Sequence, residues 1–579
     1  MFIVSFKITL ISGWMARPRF PVLELRIYTC KTTKETEKAM KTAYFNGKVY
    51  TGELPLQEAF LTEDGLFVKV GTDSEVLACL SPDEPRLDLR GNFVCAGFND
   101  SHMHLLNFGQ SLYGARLGEH TGSLEEMLSY LKSQAAEFPV HSGQWLTGRG
   151  WNQDYFSDVK RMPDRHDLDS VSDEIPIQIS RTCGHCCVVN TPVLALAGIG
   201  RSTPDPEGGT IGRDANGEPD GRLYENAIEL LNAVKPKPDK EMIKNMLRLA
   251  MAEANRYGVT SVQSDDYSTF RAVPWQLVNE AYRELEEAGE MRVRVTEQCN
   301  FTELPDLQSF LDAGNVTGKD SDFFRIGSLK LLGDGSLGSR TAHLSRPYVQ
   351  GEGNTGFSLF TPEHLKKMVL CAHRHGMQAA VHAIGDKCLD EVLDAYEAAL
   401  EAYPRRDHRH GIVHCQISRR DQLERMDRLG LHVYAQSIFL DYDNHIVEKL
   451  VPAELLEFSY SWKTLLQMGV TVSNGSDCPV ELPDVMAGIR CAVTRCSLDG
   501  CGPFLPREAF TVQEALDSYT SGGAYASFSE DRKGRIREGM LADFVILDRD
   551  PFRTEPEQLN SISVLAAYVD GKQVFQKGL

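Results

Sequence analysis

Two histidines one residue apart stand out in the stretch GFNDSHMHLLNFG, residues 97–109. His102 and His104 follow a run of apolar and small residues that indicates the end of a strand. Side chains at positions i and i+2 of a strand point to the same face, so both imidazoles can reach one ion. Such a pair is nevertheless more often found on a surface or in a satisfied core, so it predicts little by itself.

Four further polar residues lie towards the ends of other strand-like runs: Lys330, His382, His414 and Asp477. Imidazole nitrogen and carboxylate oxygen are the usual ligands of zinc and similar divalent metals. Any one of these residues alone would be interpreted as structural. The joint placement of the histidines and Asp477 at the ends of the first, fifth, sixth and eighth strands predicts that these residues share a metal site.

The elements that would position these side chains are short β-branched runs alternating with helical segments. This alternation predicts βα units with a parallel sheet, and eight strands predict an α/β fold of the closed (β/α)8 TIM-barrel type. Active sites of such barrels lie at the carboxyl ends of the strands, where the polar residues fall. The predicted strands cover residues 93–104, 258–264, 291–298, 325–334, 377–383, 411–417, 431–437 and 470–477.

The rest of the chain divides into three parts. Residues 41–92 and 534–579 alternate β-type runs with turn residues, which predicts that the two ends pair into one small β-sandwich. The barrel domain then spans residues 93–533, and the long gap after its first strand predicts an inserted subdomain at about 110–250 that overhangs the barrel mouth. Residues 1–40 are interpreted as a leader that is disordered or results from a misassigned start codon.

The composition excludes several classes of partner. The formal net charge is −20 and no cluster of Lys or Arg stands out, so nucleic acid would be repelled. The apolar stretch near the start is interrupted by Lys7 and is too short to span a bilayer, so no membrane association is expected. The 14 cysteines are scattered through a long chain, which favours a reducing, cytoplasmic location. The expected partner is therefore a small molecule.

Two helices carry clear capping signals. Thr361 suits an N-cap and Pro362 the first helical position, and Gly376 suits the position where the helix ends. Thr511 and Glu514 have the spacing of a capping box. These patterns predict helices that begin at residues 362 and 512.

Several motifs resemble the amidohydrolase superfamily. Within it they are most similar to the amidohydrolase 3 group, which includes the YtcJ-like proteins and N-substituted formamide deformylase. The motifs are GFNDSHMH, KLLGDGSLGSRTA (residues 330–342), AVHAIGD, GIVHC and SNGSD. The resemblance extends from about Thr42 to the C-terminus.

The resemblance implies a centre with one or two divalent metal ions per chain, zinc being expected. Lys330 would join it as a carbamate formed with carbon dioxide, because a carbamate is anionic and offers two oxygens whereas an ammonium cannot bind a metal. The alternative is that Lys330 is an ordinary cation paired with Asp334 or Asp477. In the implied centre His102, His104 and Asp477 hold one ion, His382 and His414 hold the second, and Lys330 bridges them.

The residues and the resemblance together predict a metal-dependent hydrolase that cleaves a carbon–nitrogen bond other than a peptide bond. Asp477 would take up a proton as metal-activated hydroxide attacks a carbonyl and would return it to the leaving nitrogen, and Lys330 is the second residue expected in catalysis. The expected substrate is an N-substituted amide or formamide. A cyclic amide, a lactone or a heterocycle that is deaminated would use the same site.

An alternative of another class is a barrel that has lost catalysis and serves as a scaffold or binding protein. The complete set of six candidate ligand positions argues against it. A homodimer is expected by analogy with other barrels.

Substrate contacts are expected from the insert and from the loop after the fourth strand. His185 and Asn190 would line the pocket, with a structural role for the histidine as the alternative. Ser336 and Arg340 would contact a substrate carboxylate or pin their glycine-rich loop. Asp100 is expected to orient an imidazole ring through a contact on the side of the ring that faces away from the metal.

The remaining histidines and one tryptophan are expected to be structural. His373, His375, His408 and His410 fall in helix ends or charged connections, which predicts a solvated surface. Trp151 is expected in the core or in a pocket wall.

Overall fold

The computed structural model describes residues 41–138, 143–181, 186–206, 208–270, 273–349 and 351–577. The predicted leader, residues 1–40, thus lies outside the described residues. Within the described ranges, no helix is both long and apolar enough to cross a bilayer. The cysteines in the same ranges are all free thiols.

The described chain begins with six strands that contribute to two small sheets. They are β1 (Lys41–Phe45), β2 (Lys48–Val49), β3 (Ala59–Glu63), β4 (Leu66–Gly71), β5 (Arg86–Asp88) and β6 (Phe93–Ala96). Four of them form a sheet in the order β4-β3-β1-β5. The other two, β2 and β6, join a sheet that the end of the chain completes.

The barrel starts at β7 (Phe98–Met103). The prediction of a single strand over residues 93–104 is wrong, because the chain changes sheets at Gly97. The Gly97 N–H donates to the carbonyl of Asp543, and a Cβ at this position would lie 2.1 Å from Thr260 Oγ1. Only glycine permits this close approach, so β6 belongs to the terminal sheet and β7 to the barrel.

An insert with its own sheet follows β7. Its strands are β8 (Ala115–Arg116), β9 (Leu146–Trp151), β10 (Ile177–Arg181), β11 (Cys186–Val189), β12 (Gly209–Arg213) and β13 (Pro219–Glu225). They are ordered β12-β13-β11-β10-β9-β8. Two apolar clusters stabilise the insert, one containing the fully buried Trp151 and one containing Val189. Trp151 is therefore a core residue.

Seven more strands complete the barrel. They are β14 (Val259–Ser264), β15 (Arg294–Asn300), β16 (Phe324–Leu332), β17 (Ala379–Ala383), β18 (Gly411–His414), β19 (His432–Ala435) and β20 (Thr471–Asn474). The sheet is parallel, in the order β20-β19-β18-β17-β16-β15-β14-β7. Its edges meet where the Asp477 N–H donates to His102 O and the His104 N–H donates to Cys478 O, each at 2.8 Å. The predicted α/β barrel class is confirmed.

The end of the chain returns to the first strands. β21 (Phe544–Leu547), β22 (Val564–Val569) and β23 (Lys572–Gln576) extend the second terminal sheet in the order β2-β6-β21-β22-β23. Aromatic rings join the two terminal sheets: Phe544 packs edge-on against Tyr44 with 5.0 Å between centroids and against Phe60 at 4.9 Å. The two ends of the chain thus share one small core.

Both predicted capping signals are confirmed. The Thr361 hydroxyl accepts a hydrogen bond from the His364 N–H, and Thr511 and Glu514 form a capping box. The described α-helices are α1 (Asp73–Leu77), α2 (Leu105–Tyr113), α3 (Leu124–Glu137), α4 (Arg165–Asp169), α5 (Thr191–Leu196), α6 (Lys240–Arg256), α7 (Trp275–Glu287), α8 (Leu304–Asp312), α9 (Pro362–Arg374), α10 (Asp386–Ala402), α11 (Arg420–Leu429), α12 (Leu440–Asp443), α13 (Val447–Leu450), α14 (Ala453–Leu456), α15 (Trp462–Met468), α16 (Val485–Thr494), α17 (Val512–Ser518) and α18 (Ser521–Ala526).

Candidate metal centre

Three of the predicted ligands meet at the carboxyl end of the barrel. His102 lies on β7, His104 is the N-cap residue of α2, and Asp477 follows β20. The Nε2 atoms of His102 and His104 lie 3.3 Å and 3.1 Å from the same oxygen, Oδ1 of Asp477. One ligand atom from each residue lies within 4.8 Å of the others, so a single cation can contact all three.

The loop that carries Asp477 is held against β7 by close backbone contacts. Gly475 makes this possible, since a Cβ there would lie 2.6 Å from the backbone nitrogen of His102. The Asp100 carboxylate accepts hydrogen bonds from the N–H and hydroxyl of Ser476 and from the His102 N–H. Asp100 therefore positions this loop, and the prediction that it orients an imidazole ring is wrong.

His382 on β17 and His414 on β18 lie beside this group. Their ring centroids are 4.5 Å apart, and the His414 ring is 5.7 Å from that of His102. Lys330, on the neighbouring β16, is fully buried, and its Nζ has no hydrogen-bond partner among the described residues. Nor does Lys330 form an ion pair within those ranges, so the alternative of a cation paired with Asp334 or Asp477 is not observed.

Each of the four imidazoles has its Nδ1 atom next to an oxygen. An oxygen acceptor keeps the proton on Nδ1 and leaves the Nε2 lone pair available to a metal. The contacts join His102 to Gln298 Oε1 (2.6 Å), His104 to the carbonyl of Asp265 (3.0 Å), His382 to Asp334 Oδ1 (3.0 Å) and His414 to Gln436 Oε1 (2.7 Å). Three of these contacts are hydrogen bonds, whereas His382 Nδ1 lies near Asp334 Oδ1 without hydrogen-bond geometry. In each ring the oxygen beside Nδ1 leaves Nε2 as the atom that can bind a metal.

Burial and neighbouring charges shift the pKa values of the residues at the centre. Burial and the nearby Lys330 lower the pKa of His102 to about 4. Burial also opposes protonation of His104, but its hydrogen bond and charge interaction with Asp477 raise the His104 pKa to about 9. Burial disfavours the anion of Asp477, yet the two imidazoles hold the pKa of its carboxyl well below its ordinary value. Burial lowers the pKa of Lys330, which favours its neutral amine.

Two of these residues have left-handed backbone conformations. The φ angle is 75° at His414 and 57° at Asp477. Such conformations cost on the order of 1 kcal/mol or more in residues other than glycine, so the surrounding structure must impose them. At His414 the indole N–H of Trp462 contributes by donating to the carbonyl oxygen at 3.0 Å.

The predicted substrate contacts have mixed outcomes. Ser336 lines a cavity of about 360 Å³ beside the centre, whereas Arg340 is not among the described residues that line it. Asn190 is fully buried, where its side chain accepts from the Ile177 N–H and donates to the Ile175 carbonyl. Asn190 thus stabilises the insert internally, and its predicted pocket role is wrong. His185 lies outside the described residues.

Three histidines that were predicted on the surface are buried. His373 and His408 are each 3% exposed, and His410 is 0% exposed. The Nε2–H of His410 donates to His373 Nδ1 at 2.8 Å, and the Nε2–H of His373 donates to the carbonyl of Tyr403 at 2.6 Å. The prediction failed because it relied on charged sequence neighbours, whereas hydrogen bonds from distant segments satisfy these rings. Only His375 is partly exposed.

Sequence reasoning missed two glutamines that contact the candidate ligands. Gln298 ends a predicted strand and donates through Nε2 to the carbonyl of Ser101 at 3.3 Å. Gln436 follows another strand and donates to the carbonyl of Tyr434 at 2.9 Å. These bonds turn each Oε1 towards an imidazole. The signal that identifies them is a polar residue at the carboxyl end of a barrel strand.

Comparisons with known proteins agree with this architecture. YtcJ of Bacillus subtilis (strain 168) is 32% identical over 93% of this chain and 100% of its own length. N-substituted formamide deformylase of Arthrobacter pascens is 28% identical over 89% of this chain and 94% of its own length. The crystal structure of an uncharacterized metal-dependent hydrolase from Pyrococcus furiosus is 29% identical, with a TM-score of 0.72, and covers 89% of this chain and 100% of that chain.

The family match extends over most of the protein. A sequence model of the Amidohydrolase family matches residues 87–575, a range that includes every candidate ligand described above. The resemblance seen in the motifs is thereby confirmed. The chain belongs to the amidohydrolase family.

Proposed function

We propose that the residues gathered at the carboxyl end of the barrel hold one or two divalent metal ions, zinc being expected, and that the protein hydrolyses a non-peptide carbon–nitrogen bond. The observation that supports this most is the set of four imidazoles whose Nδ1 atoms all contact oxygens. Their Nε2 atoms and the Asp477 carboxylate make a donor set that suits zinc and related ions.

Lys330 fits a role in the same centre. A free amine, unlike an ammonium, adds to carbon dioxide, and one amine proton leaves as the new nitrogen–carbon bond forms an anionic carbamate. Burial favours the free amine of Lys330, and its Nζ has no competing hydrogen bond within the described ranges. In the proposed arrangement His102, His104 and Asp477 would hold one ion, His382 and His414 would hold a second, and the Lys330 carbamate would supply anionic oxygen ligands to the centre.

A divalent metal bound here would supply a Lewis acid and lower the pKa of bound water to roughly 7. Oδ1 of Asp477 lies 3.3 Å and 3.1 Å from the Nε2 atoms of His102 and His104, whereas its Oδ2 has no hydrogen-bond partner in the described part of the chain. We assign Oδ2 the task of accepting the proton of the attacking water and delivering it to the leaving nitrogen. The nitrogen then leaves as a neutral amine.

The substrate we propose is an N-substituted amide or formamide, a class that the name of the Arthrobacter relative supports. A cyclic amide, a lactone or a heterocycle that is deaminated is the second candidate, because the same donor set would serve it. An inactive scaffold is disfavoured, since it would not need six such side chains gathered at one end of a barrel.

Metal analysis together with one variant tests the proposal. The purified protein is expected to contain one to two equivalents of metal per chain, about two if Lys330 bridges, and to hydrolyse members of a panel of N-formyl, N-acyl and cyclic amides. Asp477→Asn should lower kcat by roughly 100-fold or more, because the proton acceptor is lost.

Asp531→Asn is the matched control, because it removes an exposed carboxylate and should leave kcat unchanged. Full turnover by Asp477→Asn would contradict the role of Asp477. A protein that holds no metal and hydrolyses nothing after addition of zinc, manganese or cobalt would contradict the function itself.

Two expectations about the cellular state stay predictions. The free thiols of the described cysteines support a reducing, cytoplasmic compartment. A homodimer is expected by analogy with other barrels, and sedimentation of the purified protein measures it.

A further inference from the structure

A cavity of about 360 Å³ opens beside the candidate ligands. It is lined by the loops that follow five consecutive barrel strands, β16 to β20. Phe439, in its wall, stacks on the His414 ring with 5.6 Å between centroids. Two other lining residues, Ile384 and Gln416, lie two positions beyond His382 and His414. The cavity therefore adjoins the centre, where it can receive one part of a substrate.

Much of the cavity wall is apolar. The buried Leu337 and Ile384 and the partly buried Phe439 line the cavity. Tyr442 and Val480, which also line it, are 59% and 66% exposed. Exposed apolar side chains around a concave site favour an apolar ligand, because binding removes them from water.

Two carboxyl groups interrupt this apolar lining. Asp443 is only 6% exposed, and its Oδ2 accepts hydrogen bonds from Gln416 Nε2 at 2.6 Å and from the Tyr460 hydroxyl at 2.8 Å. Its Oδ1 has no hydrogen-bond partner among the residues described. Glu481 is half-buried and forms neither a hydrogen bond nor an ion pair within the same ranges.

These carboxyl groups lack a compensating cation. No Lys or Arg occurs among the described residues that line the cavity. Burial and the nearby Asp441 and Asp443 raise the pKa of Glu481 to about 7, and burial raises that of Asp443 to about 6. A cation that entered from solvent would interact favourably with both groups, and the burial of Asp443 would strengthen its interaction with that cation.

We propose that this acidic pocket, formed by Asp443, Glu481 and the apolar wall, binds a substrate substituent that carries a protonated amine or a similar cation on a short apolar arm. That the ligand of this pocket is part of a substrate rests on the proposed function, because the pocket adjoins the candidate metal centre. A neutral substituent of equal size would leave both carboxylates unpaired, and an anionic one would be repelled. The pocket thereby selects among N-substituted amides by charge.

Isothermal titration calorimetry on the full-length, metal-loaded protein at pH 8 tests this without turnover. Benzylamine, mostly protonated at that pH, is the cationic probe, and benzyl alcohol is the neutral probe of similar shape. We expect benzylamine to bind about tenfold more tightly or better, because only the cation pairs with the carboxylates.

Variants of the pocket should remove this selectivity. Glu481→Gln and Asp443→Asn should each lower the ratio of the two affinities about threefold or more. Glu481→Gln breaks no hydrogen bond within the described ranges, so it is expected to fold even if Asp443→Asn does not. Glu448→Gln, which removes an exposed carboxylate outside the pocket, should keep the ratio unchanged.

Three results would overturn the assignment: benzyl alcohol binding as tightly as benzylamine, no measurable benzylamine binding at millimolar concentration, or an unchanged ratio in the Glu481→Gln protein. The proposed function can fail separately. Charge-selective binding in a protein that hydrolyses no amide would refute the hydrolase proposal alone. Amide hydrolysis without charge-selective binding would refute the pocket alone.

Discussion

A histidine can bind a metal only if its lone pair points at the ion, and at this centre neighbouring residues set that direction. Gln436 accepts at His414 Nδ1 and donates to the carbonyl of Tyr434, so its amide cannot turn over without losing both bonds. Gln298 acts in the same way on His102. Both glutamines are positioning residues, because they act on substrate only through an imidazole.

Replacing one of these glutamines should weaken metal binding. Gln436→Met is expected to lower metal affinity about tenfold or more, because the His414 ring loses the acceptor that keeps its proton on Nδ1. Competition with a chelator measures the change. Gln558→Met replaces an exposed glutamine and should have no effect. Unchanged affinity in Gln436→Met would show that Gln436 does not orient the ligand.

At the scale of elements, buried neutral histidines connect several segments of the barrel. His410, directly before β18, accepts at Nδ1 from the Ala379 N–H of β17 at 2.9 Å. Its Nε2–H donates to His373 of α9, which donates in turn to the carbonyl of Tyr403 after α10. Each ring uses one nitrogen as acceptor and one as donor, so the network requires neutral imidazoles.

This network should make the protein sensitive to acid. Burial lowers the pKa of His373 and holds that of His410 well below its ordinary 6.5, with nearby Arg405 adding to both shifts. Because the unfolded chain binds more protons below about pH 6.5, the free energy of unfolding must fall as the pH drops below that value. Each histidine lowers the free energy of unfolding by at most about 1.4 kcal/mol for each pH unit of acidification.

His373→Gln separates this effect from simple loss of packing. A glutamine amide accepts and donates as His373 does but cannot titrate, so stability at pH 7.5 should change little while the loss at pH 5.5 becomes smaller. Urea midpoints at the two pH values measure both quantities. His166→Gln, at an exposed histidine, should leave the acid sensitivity intact. The same acid loss in His373→Gln as in the unchanged protein would contradict this account.

At the scale of the whole molecule, a buried ion pair joins the barrel to the terminal sheet. Arg294, at the start of β15, donates through Nε to Asp543 Oδ2 at 2.6 Å and through Nη2 to Oδ1 at 3.0 Å. Asp543 directly precedes β21, and both side chains are at most 5% exposed. The pair lies at the amino end of the barrel, opposite the candidate metal centre.

Breaking this pair should affect stability without affecting the metal centre. Asp543→Asn is expected to lower the free energy of unfolding by about 3 kcal/mol, because it leaves the buried Arg294 charge with only the more exposed Asp570, at 3.4 Å, as a partner. Metal content and kcat per folded molecule should not change. Asp322→Asn, which breaks a half-exposed pair with Arg532, should cost less than about 1 kcal/mol. Thermal melts compare the stabilities of the two variants. Equal losses of stability would contradict the assigned role of the buried Arg294–Asp543 pair.

The amino-acid sequence by itself determined that the barrel has eight strands, though not where the first one begins. It also determined the caps at Thr361 and Thr511, the family, and the placement of candidate ligands such as His102 and Asp477 at strand ends. Local information suffices for these features. A strand alternates its faces every residue, and a cap depends on residues three positions apart, so both are visible within a few neighbours.

Only the tertiary structure decided what surrounds those residues. It showed that Gln298 contacts His102, that the chain changes sheets at Gly97, that His410 is buried, and that Glu481 lines a pocket without a cation. Each of these features depends on contacts between segments far apart in the chain. Which of the many polar residues at strand ends face one another follows from barrel closure and packing, and no local pattern specifies it.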